Sequence, residues 1–403
     1  MLPLHGIRVV DLSNVLAGPF CGYQLARMGA EVVKVENPKG GDLARGLGVD
    51  PEMARREMGL SFVAVNAAKQ SIALDLKDPR GKAVFLDLVA TADVVLENFR
   101  PNVMRRLGLD YPVLAARNPR LVYCAISGFG QTGPWAERPA YDQIVQGLAG
   151  VMSVTGDERS APLRVGFPIA DTVGGLTAAF AVAAALVEQR ATGKGRCIDV
   201  SLLESTLATM GWVVSNYLNA GAIPRPMGNE NFTAAPSGTF RVADGLLNIS
   251  ANEQKQFETL CDLIERPDLK VDPRFAERQA RKLNRDALSG LIEERLASRG
   301  AAEWEATFNR HGVPAGQVLT VPQILDHPQM RERAFVEDLA SLGTTGERLR
   351  VNRPGFRLSE AFPPPSDPPA LGADTRSWMR RLGRSDNEID ALARDGVITL
   401  GPT

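Results

Sequence analysis

The sequence predicts an α/β protein: a large Rossmann-like domain on a parallel sheet, followed by a smaller α+β domain. Three observations carry this. Short apolar runs (GIRVVDLS, EVVKVE, SIALDL, DVVLE, LVYCAI) alternate with helical patterns through the first third of the chain, the order that produces strand–helix–strand units and a parallel sheet. The composition then shifts to Pro, Gly and Asn over Gly221–Gly238, which reads as a linker. A proline-rich stretch, FPPPSDPP at Phe362–Pro369, reads as a stiff connector before a helical tail. The boundaries that follow are 1–220 for the large domain, 221–330 for the small one, and 331–403 for a connector and C-terminal helix returning to the large domain.

Taken in order, Gly6–Ser13 is a buried strand, Phe20–Met28 a helix that Gly29 ends, and Glu31–Glu36 the next strand. The first turn reads SNVLAGP and lacks GxGxxG, which speaks against a dinucleotide site. Pro38–Gly48 carries Lys39 and Arg45 among glycines, either a solvated loop or a basic loop that meets phosphates. Ser71–Leu76 is a strand, and Pro79 opens a helix at the position that tolerates proline. Asp93–Glu97 is a strand running into Asn98-Phe99-Arg100-Pro101, with Arg105 and Arg106 one turn on. Leu121–Ile126 is a strand ending in the turn-rich Ser127–Pro134, and Tyr141–Leu148 a helix. Arg196–Val200 is a strand and Ser201–Val214 one helix. In the small domain Thr239–Ser250 is a hairpin turning at Ala243-Asp244-Gly245, Asp272–Trp304 is helical, and Gln317–Thr320 is a short strand. Ser385 caps a helix over Asn387–Arg394 that Gly396 ends.

Composition excludes several classes. A formal net charge of −1 gives no field for nucleic acid. Four scattered cysteines without a CxxC pair fit reduced thiols in a cytoplasmic protein better than a disulfide framework or zinc site. Three histidines, His5, His311 and His327, leave a Ser-His-Asp relay or a multi-histidine metal centre without parts, so no metal is expected. Met1–Gly6 lacks a basic leader, and the apolar run Leu176–Val187 falls short of the ~20 residues that span a bilayer, so no membrane partner is expected.

The chain is organised around Leu163–Arg190, LRVGFPIADTVGGLTAAFAVAAALVEQR. Asp171 stands at the head of a long Ala-rich apolar helix. One reading makes it an N-cap. The other makes it a nucleophile: the turn Gly166-Phe167-Pro168 delivers it to a fixed place, and Gly174-Gly175 leave room for a ligand or another backbone at about 1 kcal/mol each in helix propensity.

In order and spacing, GIRVVDLSNVLAGP, EVVKVENPKGGD, SIALDLKDPRG, DVVLENFRP, GFGQTGP, YDQIVQGLAG, the Asp171 stretch and the tail GADTRSWMRRLGRSDNEIDALARDGVI resemble the family III coenzyme A transferases over nearly the whole chain. That group includes formyl-CoA:oxalate CoA-transferase, and 2-methylacyl-CoA racemases share its fold. The resemblance implies that Asp171 is the nucleophile and passes through an aspartyl-CoA thioester. It implies CoA contacts at Asn98, Phe99, Arg106, Lys39, Arg138 and Tyr141, with the first domain binding CoA. It requires no cofactor, because CoA thioesters are the substrates. Backbone N–H groups at Gly174-Gly175, or in Gly228–Gly238, would serve the oxyanion. The resemblance further implies an interlocked, ring-like homodimer. Leu16 stands where the formyl-CoA enzyme has an active-site Gln, which argues against oxalate. The expected reaction moves CoA from succinyl-CoA to a C4–C5 dicarboxylate, whose extra charge Arg164, Arg225, Asn229 or Asn231 would meet. The alternatives are a racemase, for which Tyr141-Asp142 stand in place of the His-Asp pair, and a non-catalytic acyl-CoA-binding protein.

Overall fold

Pairs of adjacent valines decide the large sheet. In a parallel sheet both faces are covered, so neighbouring residues must both be apolar. β1 (Arg8–Asp11), β2 (Glu31–Glu36), β3 (Gln70–Leu74), β4 (Val94–Glu97), β5 (Val122–Ser127) and β6 (Arg196–Ser201) lie side by side in the order 3-2-1-4-5-6, all parallel. Val32, Val9, Val94 and Val122 form one row across the sheet, and Val33, Val10, Val95 and Tyr123 the next. The first row packs with the helix Ala17–Arg27 and the long helix Ile169–Thr192. The second packs with the helix Pro79–Val89 and the tail residues Trp378, Met379 and Ile389. The structure, a computed structural model, describes residues 1–401.

Asp78 caps the helix that Pro79 opens, accepting the Arg80 N–H at 2.8 Å. Ser385 and Glu388 form a reciprocal capping box at the helix Asp386–Arg394. A last strand, Ile398–Thr399, adds antiparallel to β3 and covers that edge.

The chain divides into two compact units. The first holds 1–151, 164–221 and 331–403; the second holds 152–163 and 222–330. Residues 152–163, which the sequence placed in the large domain, thus belong with the small one. The second unit carries β7 (Ser237–Val242), β8 (Gly245–Ser250) and β9 (Ala315–Gln317) in an antiparallel sheet, backed by helices around Phe257, Ile292, Trp304 and Phe308. β9 begins two residues earlier than the sequence expected. The expected Asp272–Trp304 helix is broken at Asn284 and Gly300 into Arg278–Leu283, Arg285–Leu296 and Ala301–Arg310. Asp244, at the hairpin turn, caps the last of these through the Ala301 N–H at 2.7 Å.

Two further differences lie in the first unit. The expected helix Ser201–Val214 is two, Leu202–Thr209 and Gly211–Ala220, parted at Met210 where Gly211 weakens the run. A hairpin without strong alternation, β10 (Val336–Leu342) and β11 (Arg348–Asn352), forms inside the segment read as connector.

Candidate active site

The long helix starts at Ile169, two residues before Asp171. Pro168 is its cap residue and offers no acceptor, so Asp171 lies in the first turn and does not cap. The cap comes from another helix, Asp142–Leu148. Asp142 Oδ1 accepts the backbone N–H of Ala170 at 2.8 Å and of Asp171 at 3.3 Å. Ile169 and Thr172 donate to Phe167 and Pro168 carbonyls, so the first turn leaves no N–H open. Asp142 Oδ2 accepts Gln146 Nε2 at 2.6 Å. Gln146, fully buried, also donates to the Phe167 carbonyl at 3.2 Å, and its Oε1 accepts the Val165 N–H at 2.9 Å. One Asp–Gln pair thereby fastens both the turn before the long helix and its first turn. Sequence reasoning missed Gln146; its i+4 spacing from Asp142 on one helix face was the available signal.

The Asp171 carboxylate itself accepts no hydrogen bond and forms no ion pair among the described residues. Burial, and next the Asp142 carboxylate, push it up to about 7. A half-buried carboxyl without partners is costly to a fold and characteristic of a working group. Arg164 Nη2 stands 3.9 Å from Asp142 Oδ2, on the side away from the helix cap.

Gly174 and Gly175 serve packing. A Cβ on Gly175 would lie 2.5 Å from the Ala17 carbonyl oxygen, and one on Gly174 would lie 2.2 Å from Leu202 Cδ2. Gly175 lets the long helix touch the start of the Ala17–Arg27 helix, and Gly174 lets it touch the start of the Leu202–Thr209 helix. Their N–H groups sit inside the helix ladder and bond to carbonyls four residues back, so they are not the oxyanion donors expected of them. In the other expected donor segment, the Gly228 N–H is already taken by the Gly156 carbonyl.

The loop between β1 and the first helix is held by buried charge. Asp11 pairs with Lys69 at 3.0 Å, and Lys34 pairs with Asp42 at 2.8 Å while donating to the Ser13 carbonyl at 2.6 Å. Asp42 Oδ1 accepts the Val15 N–H at 2.9 Å. Val15 is thus kept at φ 68°, a left-handed conformation that a β-branched residue avoids. Strain of this kind persists only where surrounding structure imposes it. Lys69 is spent on Asp11, Asn66 and the Pro19 carbonyl, so it is no phosphate ligand.

The residues expected to contact CoA fall into three kinds. Lys39, Arg106 and Arg138 are exposed and make no ion pair among the described residues; Arg138 stacks on Trp135 at 4.9 Å. Tyr141 is 66% exposed at the tip of the Asp142 helix, beside Asp171's turn. Asn98 instead clamps the β1 loop, accepting the Asn14 N–H and donating to the Asn14 carbonyl, both at 2.8 Å. Phe99 packs on the sheet core, its N–H held by Glu97 at 2.7 Å. Asn102 bridges to Glu137 at 2.8 Å, which brings the Arg106 helix and the Arg138 loop together. Arg45 departs from the phosphate reading: it is buried, forked onto Glu36 at 2.7 and 2.8 Å, and stacked over Phe62 at 3.9 Å.

The description "CoA-transferase family III" fits residues 4–375. The chain belongs to CoA-transferase family III. This family III CoA-transferase is 35% identical to succinyl-CoA:glutarate CoA-transferase of Mus musculus over 99% of its length and 91% of the relative's. It is 42% identical to acetyl-CoA:oxalate CoA-transferase of Acetobacter aceti over 87% and 89% of the two chains. Among solved structures it matches a CAIB/BAIF family protein from Brucella suis with a TM-score of 0.82 and 36% identity, covering 94% of this chain and 99% of that one. In this CoA-transferase Asp142 has both oxygens committed and Tyr141 points outward, which leaves the racemase alternative without a second base at the helix tip.

Proposed function

We propose that this enzyme moves CoA from succinyl-CoA to a C4–C5 dicarboxylate through Asp171. The observation that carries this is the state of Asp171: half-buried, raised to about 7, and bonded to nothing through its side chain. A carboxylate is a weak nucleophile in water, and desolvation with fixed position raises its reactivity. The Asp171 carboxylate attacks the thioester carbonyl; the C–S bond breaks, giving a mixed anhydride and CoA thiolate. The thiolate attacks the aspartyl carbonyl, and the anhydride C–O bond breaks to release succinate and leave aspartyl-CoA. The acceptor carboxylate then runs the two steps in reverse. No proton is taken up or released in the balance. Lys39, Arg106 and Arg138 are the cations we assign to the CoA phosphates, with Tyr141 lining the approach and Asn98 and Phe99 shaping the floor. The substrate choice is supported by relatives whose names specify glutarate, D-citramalate and mesaconate as partners of succinyl-CoA.

We further infer that the enzyme works in the cytoplasm as an interlocked homodimer. Support comes from apolar side chains left open on the first unit: Phe180 at 77% and Val187 at 71% on the long helix, and Trp212 at 74% and Leu218 at 71% on Gly211–Ala220. Exposed apolar faces of this size mark association surfaces. The long helix meets the length and apolarity of a membrane span, longer than the run read from sequence, but it carries Asp171, Glu188 and Arg190 and packs one side on the sheet.

The deciding experiment is intact mass after incubation with succinyl-CoA, for wild type and Asp171→Ala. A CoA adduct, or a hydroxylamine-trapped aspartyl hydroxamate, is expected only in wild type. Its absence with several acyl-CoAs removes Asp171 as nucleophile.

A further inference from the structure

We propose that Arg164 binds the far carboxylate of the dicarboxylate substrate while the near carboxyl reacts at Asp171. This rests on Asp171 being the nucleophile. The first argument is place. Arg164 Nη2 is 3.9 Å from Asp142 Oδ2, and the other oxygen of the same carboxylate holds the Asp171 N–H at 3.3 Å. The guanidinium is therefore within about 9 Å of the Asp171 backbone, while an extended C4–C5 dicarboxylate separates its carboxyl carbons by about 4–5 Å. Substrate and side-chain reach together span that gap.

The second argument is availability. At 3.9 Å the contact with Asp142 is an ion pair too long for a hydrogen bond. The Arg164 side chain is 44% exposed and donates no hydrogen bond among the described residues. Its planar fork is open to a carboxylate, which it matches in geometry. The buried cations of the first unit near the sheet's carboxyl end are committed: Lys34 to Asp42, Arg45 to Glu36, Lys69 to Asp11.

The third argument is charge. Asp142 and Asp171 put two carboxyls at one helix start, a field that repels a dianion. Arg164 is the only cation in ion-pair contact with Asp142 among the described residues. It offsets that field on the side where a second carboxylate would lie. A monocarboxylate gains nothing from it, so the residue discriminates between the two.

The test uses acetyl-CoA as donor, which carries no far charge, and compares glutarate with pentanoate as acceptors. The readout is the ratio of their kcat/KM values in wild type, Arg164→Gln and Arg164→Lys. The glutarate preference is expected to fall about 10- to 100-fold in Arg164→Gln, the loss of one charge-assisted contact, and to survive in part in Arg164→Lys. Equal losses for both acceptors, leaving the ratio unchanged, overturn the proposal and assign Arg164 to holding Asp142 alone. A wild-type ratio near one overturns it as well. Adduct formation from acetyl-CoA is followed on the same variants. An adduct in Arg164→Gln with a collapsed ratio supports the assignment, and no adduct in wild type from acetyl-CoA and succinyl-CoA alike removes the nucleophile reading and this one with it.

Discussion

Asp142 Oδ1 takes the backbone N–H of Asp171 at 3.3 Å and that of Ala170 at 2.8 Å, so one carboxylate holds the turn that presents the other. The arrangement separates two tasks that a helix-head Asp usually combines. Capping falls to a residue from a different helix, and the Asp171 carboxylate oxygens are left without a hydrogen bond among the described residues.

Removing the cap should therefore weaken the fold. Asp142→Ala leaves the Ala170 N–H and the buried Gln146 amide without their acceptor. The expected loss is about 2–4 kcal/mol, from two buried donors at about 1–3 kcal/mol each with partial relief by water. Asp142→Asn keeps one acceptor oxygen and should lose about half as much. Urea denaturation of the three proteins measures the order; equal stability of Asp142→Ala and wild type contradicts it.

The raised carboxyl gives a pH dependence with a definite sign. In the proposed reaction Asp171 attacks in its ionised form, so adduct formation should climb as pH rises through about 7. The Asp142 charge is the second cause of the shift, so Asp142→Asn should move the midpoint to lower pH. Stability runs the opposite way. The native state holds a proton that the unfolded chain releases near pH 4, so Asp171 costs the fold increasingly as pH rises from about 4 to 7. Asp171→Asn should melt higher than wild type at pH 8, with the gap closing toward pH 4. A pH-independent gap would show that burial does not perturb this group.

The paired glycines should respond unequally. Gly175→Ala drives a Cβ into a backbone oxygen at 2.5 Å, which can yield only if a helix moves. Gly174→Ala meets the end of the Leu202 side chain, which can rotate away. We expect Gly175→Ala to destabilise by about 1–3 kcal/mol and Gly174→Ala by less, since alanine returns about 1 kcal/mol of helix propensity. Thermal melts of the two variants decide the ranking.

Arg45 and Arg106 should part company in the assay. Arg45→Met breaks a buried ion pair and should cost about 3–5 kcal/mol, while leaving KM for acyl-CoA in place below the melting transition. Arg106→Ala should leave the melting temperature in place and raise that KM about tenfold, less at high salt. A KM effect confined to Arg45→Met would reverse the two assignments.

The sheet was legible because its signal is local. Val9-Val10, Val32-Val33 and Val94-Val95 each declare a strand buried on both faces, and Pro79 and Ser385 declare helix starts. The candidate nucleophile, Asp171, was singled out in the sequence because a turn, a carboxyl and two glycines stand together there, and the structure leaves its carboxylate half-buried and unbonded among the described residues. What stayed hidden depends on contacts between distant positions. Nothing in the sequence says that Asp142, 29 residues earlier, caps the long helix. Arg45 and Arg106 look alike as letters, and only Glu36 and Phe62 around the first make it structural. The glycines read as room for a ligand because the opposing Ala17 carbonyl is 158 residues away in the chain.

The second unit is assembled from 152–163 and 222–330, with the Asp171 helix lying in the stretch between them. The polypeptide therefore changes unit at four places. No single cut releases either unit whole, and no single recombination event can exchange one for a homologous part. During synthesis the ribosome delivers the first piece of the second unit before the Asp171 helix and the larger piece after it. Residues 152–163 emerge long before position 222, so in this enzyme the Asp171 helix is made before the second unit can close on itself.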